Sequence, residues 1–421
     1  MKTLGILLLH LFCFQVSFSQ SVSEKQVDLI NSEIWGRFVA NSNTLVEYTD
    51  LDGKLNLPLP SEVVDGMPNA LGWWSPLENA SFFGGIFMDG AIKRWQHTKK
   101  SQDSVNVKRL AKGLMLLASV SSVEGFFARG ISTDGKSHYP MSSDDQAGGW
   151  FYGIWRYLQT SLPSDSERVL ISNKFISTAK AIVKLNWSIP AEAPFYKRGS
   201  FSSFDDRAAR LLFVCKACFS LTKDNFWDSI YRTRRNDLAV RNSTTTRLNI
   251  LRNGIPSGLV DFSTWHRSPS IGCLRLLWEL ETDSTIKDIY RQGLEVSANN
   301  AMLSITSLGN KMPYIENSKF DIDWRNLNSF WKNQSSDTVS YKIAIQQLLY
   351  INANFPRRNI ENMFVREPSF AAWVICQAPN ESLLRQRSPD LQQLIDHFNF
   401  KNLYEIWFFP LESVAWRLKD L

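Results

Sequence analysis

The residues with the richest chemistry in this chain lie between positions 129 and 146. This segment carries a guanidinium, an imidazole, a phenol, two carboxylates and an amide within 18 residues: Arg129, His138, Tyr139, Asp144, Asp145 and Gln146. A second phrase, Trp265-His266-Arg267, repeats the imidazole and the guanidinium. The chain has only five histidines, and two of them fall in these phrases. Positioned groups of these types perform acid–base catalysis on polar substrates.

One reaction that fits these residues is β-elimination on a uronic acid. It needs a base for the C5 proton, a proton donor for the leaving oxygen, and groups that neutralise the substrate carboxylate. The candidates for the acid and the base are His138, Tyr139 and His266. A guanidinium matches a carboxylate with two parallel hydrogen bonds, so arginines suit the carboxylate-binding role. The candidates for that role are Arg129, Arg207, Arg267 and Gln146.

Hydrolysis of a glycosidic bond is the alternative reaction. It needs two carboxyl groups, one of which is protonated and donates to the leaving oxygen. The candidates are Glu78, Asp144, Asp145, Asp205 and Asp206. Asp144 and Asp145 would not form the pair together, because neighbouring residues of a helix point about 100° apart. Both aspartates also have a structural interpretation, since Asp caps a helix start and favours its positive end.

The composition favours an anionic sugar as the ligand. The chain has 47 Lys and Arg against 41 Asp and Glu, a net charge of +6, which suits an anion but is too small and dispersed to indicate nucleic acid. Together with the His and Tyr content, this favours elimination over hydrolysis. A glycan-binding protein without activity is the third possibility, with Trp73, Trp74, Phe204 and Trp265 as stacking platforms. The residues expected to contact the oligosaccharide are Trp74, Glu78, Asn79, Arg129, Gln146, Asp206, Arg207, Trp265 and Arg267.

Helices must position these groups, because apolar residues recur at spacings of three and four through most of the chain and strand-like alternation is scarce. The pattern predicts helices at about Ser23–Arg37, Phe82–His97, Val105–Val120, Gln146–Gln159, Glu167–Leu185, Asp205–Leu221, Asn225–Ala239, Ser270–Glu281, Thr285–Ala298 and Ser340–Ile351. Short polar turns join them in pairs and longer loops separate the pairs, which is typical of stacked helical hairpins. We therefore expect an all-α fold in which six hairpins, or five to seven, close a ring. Polar phrases at several helix starts would then converge on one cavity.

Three phrases carry a resemblance to a known superfamily. They are Trp74-Ser-Pro-Leu-Glu78-Asn79, Ala128-Arg129-Gly130, and His138-Tyr139-Pro140-Met141-Ser142-Ser143-Asp144-Asp145-Gln146. These phrases are similar to ones in the α/α-toroid (six-hairpin) carbohydrate-active enzymes, which include glycoside hydrolases, unsaturated-uronyl hydrolases and polysaccharide lyases. Within that superfamily the chain most resembles periplasmic enzymes of marine Bacteroidetes that process ulvan-type oligosaccharides, including a dehydratase. The resemblance implies an (α/α)6 toroid and a carbon–oxygen lyase or dehydratase that produces a 4,5-unsaturated uronate.

The N-terminus has the parts of a cleavable signal peptide. Lys2 precedes the apolar run Leu4–Phe14, and Ser17-Phe18-Ser19 follows with small residues at the positions that signal peptidase reads. The apolar run is shorter than the ~20 residues of a spanning helix, so we expect no membrane partner. We expect a signal peptide at residues 1–19 and export to the periplasm, or secretion as the alternative. A single domain would span residues 20–421, with an N-terminal helix and a Pro/Gly-rich lead-in at residues 20–76.

Four cysteines follow the predicted signal: Cys215, Cys218, Cys273 and Cys376. The Cys215-Lys-Ala-Cys218 phrase lies inside an apolar helical run, whereas a redox motif needs a helix N-terminus to lower its thiol pKa. Zinc would need a second pair of ligands near it, which the sequence lacks. We therefore expect buried, unpaired cysteines and no metal. No dinucleotide loop, phosphate loop or EF-hand phrase occurs, so we expect no cofactor.

Overall fold

The computed structural model describes residues 24–240, 243–258, 264–309, 311 and 318–421. Within these ranges the chain forms sixteen α-helices and one sheet of two short strands. The all-α prediction is confirmed. None of the helices in the described ranges is long and apolar enough to cross a membrane. The expected signal peptide at residues 1–19 lies outside the described residues.

The helices have the following bounds in chain order. They are α1 (Glu24–Arg37), α2 (Pro60–Val64), α3 (Ala80–Thr98), α4 (Ser101–Leu117), α5 (Asp144–Leu158), α6 (Asp165–Lys184), α7 (Ala208–Thr222), α8 (Asn225–Asn236), α9 (Arg247–Arg252), α10 (Thr264–Leu280), α11 (Ser284–Leu308), α12 (Asp337–Asn354), α13 (Pro356–Glu361), α14 (Glu367–Gln377), α15 (Glu381–His397) and α16 (Pro410–Lys419). A π-helical turn, Asn362–Arg366, connects α13 to α14, and Trp324–Phe330 and Phe400–Asn402 are short 3-10 helices. The strands β1 (Ser188–Pro190) and β2 (Lys197–Ser200) pair antiparallel, with Ser188 opposite Ser200.

All ten predicted helices occur in the structure, and α10 shows the most informative difference. It already includes Thr264, whereas the predicted helix begins at Ser270, directly after Pro269, which cannot donate a helical hydrogen bond. The structure compensates for this missing donor, since the Ser268 hydroxyl donates to the carbonyl oxygen of Trp265 at 2.7 Å. The helix therefore runs through the proline, and Trp265 and His266 lie in its first turn.

The helices pack in pairs, as the alternation of short turns and long loops predicts. The pairs that follow each other in sequence are α3 with α4, α5 with α6, α7 with α8, α10 with α11, and α14 with α15. The first helices of these pairs also contact one another, α3 with α5, α7 with α10, and α10 with α14. Helix α16 contacts α14, α3 and α1, so the last helix packs back against the first pair.

The core is apolar and aromatic, and glycines bring two of its helices unusually close. Gly85 on α3 lies against Gly149 and Gly153 on α5, and a Cβ atom at Gly85 would lie 1.9 Å from the carbonyl oxygen of Gly149. This close approach also brings the starts of α3 and α5 together. The four cysteines, which lie on α7, α10 and α14, are buried and unpaired in the structure, which confirms that prediction.

Candidate active site

The starts of α3, α5 and α10 meet at a cavity of about 590 Å³, which we call the acidic cavity. Its wall is formed by Glu47, Trp73, Trp74, Glu78, Asn79, Asp145, Trp265, Leu348, Asn352, Arg358, Asn359, Asn362, Met363, Arg366, Glu405 and Trp407. Six residues singled out in the sequence lie in this wall: Trp73, Trp74, Glu78, Asn79, Asp145 and Trp265. The cavity therefore combines carboxyl groups, amides and indole rings, which together can bind and protonate a sugar.

Three buried glutamates give the cavity its acidic character. Glu47 and Glu405 come from non-helical segments that pair with each other, since the Ile406 amide donates to the Glu47 carbonyl oxygen at 2.9 Å. Burial raises the pKa of Glu47, and the neighbouring carboxyl groups of Glu78 and Glu405 raise it further. Burial also raises the pKa of Glu78, and it raises the pKa of Glu405 to about 7. At neutral pH the cavity thus holds protonated or readily protonated carboxyl groups.

Hydrogen bonds fix one oxygen of each of two glutamates. The Asn79 amide donates to Glu47 Oε2 at 3.0 Å, and the Trp74 backbone N–H donates to Glu78 Oε2 at 2.7 Å. The Oε1 atoms of Glu47 and Glu78 make no hydrogen bond of ordinary geometry with a described residue, although the Asn79 amide is close enough to lower the pKa of Glu78. One oxygen of each group is therefore positioned while the other can serve a ligand.

Asp145 is the opposite case, an acid held in its ionised form. Burial alone would raise its pKa, but the Arg129 guanidinium, the Ser143 hydroxyl and the Gln146 backbone N–H outweigh burial and lower it. The Gln146 N–H donates to Asp145 Oδ1 at 2.9 Å, and the Ser143 hydroxyl also donates to Oδ1. Arg129 is fully buried and is held by the Glu78 carbonyl oxygen at 3.1 Å and the Ser143 Oγ at 2.8 Å.

Trp74 positions Glu78 through an unusual backbone conformation. Its φ angle is +71°, a left-handed value that a bulky residue adopts only where the surroundings enforce it. Three hydrogen bonds do so here. The backbone N–H donates to Glu78, the carbonyl accepts from the Tyr48 hydroxyl at 2.8 Å, and the indole N–H donates to the Ala344 carbonyl at 2.9 Å. Strain of this kind is concentrated at functional sites.

Gln146 lies behind the cavity wall rather than in it. It is fully buried, and its amide donates to Asn79 Oδ1 at 2.8 Å while its Oε1 accepts from the Phe82 backbone N–H at 3.1 Å. Because Asn79 Oδ1 accepts this hydrogen bond from Gln146, the NH2 group of the Asn79 side chain points at Glu47. Gln146 therefore orients a group that lines the cavity, and the sequence analysis had expected it to contact the ligand itself.

Two indole rings and one arginine form the facing wall. The Trp265 ring stacks on Phe82, with centroids 5.9 Å apart and planes inclined by 17°, and it meets Trp407 edge-on at 5.7 Å. The Arg366 guanidinium lies over both indoles, 4.8 Å from the Trp265 centroid and 5.1 Å from the Trp407 centroid. Cations over indole faces are stabilised by the ring quadrupole. The rings and the cation thus hold one another in place.

Arg366 reaches this position because it belongs to the π-helical turn Asn362–Arg366. Pro368 follows the turn and has no N–H to donate to the carbonyl of Phe364, so the regular ladder cannot continue there. The wider turn accommodates this break and moves Asn362, Met363 and Arg366 onto the cavity wall. Single π turns inside α-helices occur frequently at functional sites.

Arg210, a buried arginine that was not predicted as a site residue, lies beside the cavity. It contacts polar groups at or near the starts of α5, α7 and α10. Arg210, with 2% of its side chain exposed, donates to Asp144 at 2.9 Å, to Ser270 Oγ at 2.7 Å and to the His266 carbonyl at 3.2 Å. It also pairs with Asp206 at 3.4 Å. Asp144 and Asp206 are therefore partners of Arg210 and do not line the acidic cavity.

The other site residues predicted in this region, Arg207, Arg267 and His266, differ in the hydrogen bonds that they make. Arg207 donates from Nε to both carboxylate oxygens of Asp205, at 2.9 and 3.1 Å, and Arg267 donates to the Pro256 carbonyl at 3.4 Å. The His266 ring makes no hydrogen bond with any described residue. Burial lowers the pKa of His266, and the nearby Arg210 cation lowers it further. His266 is thus a neutral imidazole with both ring nitrogens unused in the described part of the chain.

The structure does not bring His138 and Tyr139 to the acidic cavity. His138 pairs with Glu192, with Nε2 3.1 Å from Oε1, and it lines a different cavity. The Tyr139 ring is fully buried against Gly72, and its hydroxyl donates to the Met67 carbonyl at 2.6 Å. Both side chains therefore hold loops together and do not line the acidic cavity.

The carboxyl groups that sequence reasoning missed had a detectable signal. Glu47 lies in Leu45-Val46-Glu47-Tyr48, and Glu405 lies in Tyr404-Glu405-Ile406-Trp407, so each acid is flanked by apolar residues. An acid in an apolar segment is buried with its neighbours, and burial perturbs its pKa.

Among the described residues, no group of three or more His, Cys, Asp or Glu is arranged to hold a metal ion. Comparisons with protein-family models, with curated protein sequences and with solved structures find no match for this chain.

Proposed function

We propose that this protein is a glycoside hydrolase that cleaves oligosaccharides in the acidic cavity. One observation carries the proposal. The same cavity holds a carboxyl group whose pKa is raised, Glu78, and one whose pKa is lowered, Asp145. When the surroundings raise the pKa of one carboxyl group and lower that of another, the first can donate a proton and the second can accept one. Glycosidic hydrolysis uses this combination.

In this mechanism Glu78 is the general acid and Asp145 is the general base. Asp145 takes a proton from a water molecule, whose oxygen bonds to the anomeric carbon while the glycosidic C–O bond breaks. Glu78 gives its proton to the leaving oxygen, and exchange of one proton with solvent restores both groups. The Glu78 carboxyl is close enough to Glu47 to raise the pKa of Glu47, so an ionised Glu47 in turn favours the protonated form of Glu78.

The walls of the cavity suit a sugar. Trp74, Trp265 and Trp407 offer indole faces and edges against which a pyranose ring can pack. Asn352, Asn359 and Asn362 line one side with amides that can both donate and accept hydrogen bonds. Arg366 adds a cation, which supports the anionic, uronate-containing oligosaccharide that the resemblance to ulvan-processing enzymes implies. Export to the periplasm by the N-terminal signal is part of the same proposal.

The helix packing supports an (α/α)6 toroid as the architecture behind this site. Five helix pairs follow one another along the chain, and α16 with α1 supplies a sixth contacting pair. The contact between α16 and α3 would close the ring. The starts of α3, α5 and α10 would then open on one mouth, where the acidic cavity lies.

Elimination is the second candidate, and His266 is the observation that favours it. Its neutral ring has no hydrogen bond to a described residue, which suits a base for the C5 proton of a uronate. Asp145 is near enough to raise the pKa of this imidazole, so the ring lies close to the cavity wall. In this reaction Glu78 would protonate the leaving oxygen and no water would be added.

Incubation of the protein with ulvan and polygalacturonate oligosaccharides separates these reactions. Hydrolysis predicts new reducing ends and no absorbance from a conjugated 4,5-ene acid. A rise in that absorbance, abolished by His266→Ala, would replace hydrolysis with elimination. Unchanged substrate together with binding heat in calorimetry would overturn both reactions and support a glycan-binding protein.

A further inference from the structure

We propose that the protein has a second saccharide-binding site, separate from the acidic cavity, that holds another unit of the same oligosaccharide. The site is a cavity of about 730 Å³, which we call the outer cavity, formed by residues from the segments 64–70, 136–140, 192–195 and 331–334. Cavities of ~300–1,000 Å³ are those that hold small ligands. The identity of the ligand as part of the substrate rests on the proposed function.

The two cavities share a wall. Ala70 lines the outer cavity and Trp73 lines the acidic cavity, and the two residues pack in one small apolar cluster together with Phe195. Because both residues pack in this cluster, the two cavities are neighbours, and we expect one extended oligosaccharide to occupy both.

Hydrogen bonds fix the aromatic part of the outer cavity. The Trp331 indole N–H lies 3.1 Å from the carbonyl oxygens of both Asp65 and Gly66. Gln334 accepts from the Ala70 backbone N–H at 2.8 Å and donates to the Gly66 carbonyl at 3.1 Å. The Trp331 ring is therefore held in place before any ligand arrives, which reduces the ordering cost of binding.

The His138–Glu192 pair fixes the opposite side. His138 Nδ1 donates to the Lys136 carbonyl at 2.7 Å, and Nε2 donates to Glu192 Oε1 at 3.1 Å. The Ser121 hydroxyl donates to the same Glu192 oxygen at 2.6 Å. This pair ties the segment 136–140 to the segment 192–195, and its two charges offset each other.

Three exposed polar side chains line the outer cavity and make no hydrogen bond or close ion pair with a described residue: Asp65, Lys136 and Asn333. Lys136 is near enough to Asp134 to lower the pKa of that carboxyl group. The three side chains supply one anion, one cation and one amide, so together they offer donors and acceptors without a net charge. Lys136 can pair with the carboxylate of a uronate unit, while Asp65 and Asn333 can bind its hydroxyl groups.

Isothermal titration calorimetry with an ulvan tetrasaccharide tests the proposal. The inactive variant Glu78→Gln serves as the background, so that the probe stays intact. Adding Asp65→Ala, Lys136→Ala and Asn333→Ala should weaken tetrasaccharide binding at least about tenfold, because several hydrogen bonds to the sugar are removed together. The matched control combines Gln96→Ala, Glu381→Ala and Arg417→Ala, three residues that line another cavity and likewise have no polar side-chain partner among the described residues.

The outcomes distinguish this inference from the proposed function. Unchanged affinity in the outer-cavity variant would overturn the second site, and hydrolysis by the wild-type protein would still support the function. Weakened binding in that variant, with no hydrolysis by the wild-type protein, would keep the second site and remove the function. Equal melting temperatures of the two triple variants show that any difference in affinity comes from the cavity itself.

Discussion

The two cavities contain the same kinds of residue, yet the pKa values of their glutamates shift in opposite directions. In the acidic cavity, burial raises the pKa of Glu78, and the cations near it do not fully compensate. In the outer cavity, burial would raise the pKa of Glu192, but the hydrogen bonds from His138 and Ser121 lower it. The acidic cavity thus favours the protonated form of Glu78, whereas Glu192 in the outer cavity holds two loops together.

The difference teaches that the partner of an acid, and not its residue type, decides what it does. His138 and Glu192 satisfy each other, so neither is left to react. Glu78 and Asp145 line one cavity, and their different partners separate their pKa values. Four predictions test this contrast, in order of decreasing effect.

The largest effect should come from Asp145→Asn. The asparagine cannot take a proton from water, so hydrolysis should slow by ~10²–10⁴. Initial rates on an ulvan oligosaccharide measure this loss. Asp228→Asn is the control, because Asp228 lies on α8 and, among the described residues, its carboxylate forms an ion pair only with an exposed arginine, Arg232. Rates equal to wild type in Asp145→Asn would mean that the acidic cavity does not use this carboxylate.

Arg210→Ala should cause the largest loss of stability. It leaves Asp144 and Asp206 without their buried cation, which costs about 3 kcal/mol in the free energy of unfolding. Urea unfolding monitored by tryptophan fluorescence measures it. Arg232→Ala removes an exposed i,i+4 pair instead and should cost less than about 1 kcal/mol. Equal losses in the two variants would show that Arg210 does not organise the helix starts.

Glu412 tests the effect of burial outside both cavities. Burial raises its pKa from 4.5 to about 7, although Arg94 opposes the shift. The folded state therefore binds more protons than the unfolded state across this range, and stability falls as the pH rises from 4.5 through 7. Glu412→Gln should remove on the order of 3 kcal/mol of this fall. Urea unfolding at pH 4 and pH 8 gives the difference, and Glu381→Gln should leave it unchanged.

The smallest effect should come from His138→Gln. Burial alone would lower the pKa of His138, but Glu192 raises it, so the imidazolium stabilises the fold below pH 6.5 and this contribution is lost as the pH rises through the folded pKa. The lowered pKa of Glu192 makes its contribution present above pH 4.5 and lost below it. The variant should therefore lose ~0.5–1 kcal/mol, chiefly between these values. A loss that does not change with pH would show that the pair is not ionic.

Most of the fold could be predicted from the sequence because helix periodicity is a local signal. The apolar spacing of Phe82–His97 and of Gln146–Gln159 needs no knowledge of distant residues, and both helices are present as α3 and α5. The start of α10 was missed because a hydroxyl, Ser268, supplies the donor that Pro269 lacks. Compensation of this kind depends on side-chain geometry, which periodicity does not contain.

The site was only partly predictable because its acids come from distant parts of the chain. Glu78, Asn79 and Asp145 precede or begin apolar helices, and that local pattern marked them. Glu47 and Glu405 lie near opposite ends of the chain and meet only where two short extended segments pair. His138 lies in a polar phrase of the same appearance as Asp145, and only the position of Glu192 separates the roles of the two.

Cleavage of an ulvan oligosaccharide in water labelled with heavy oxygen tests the central claim most directly. Hydrolysis through Glu78 and Asp145 predicts one labelled oxygen on the fragment with the newly formed reducing end and none on the other fragment. Mass spectrometry of samples taken before the reducing end exchanges its oxygen with water measures this label. Glu78→Gln should form this labelled fragment at least about a hundred times more slowly. An unlabelled, unsaturated product, or full activity of Glu78→Gln, would contradict the account.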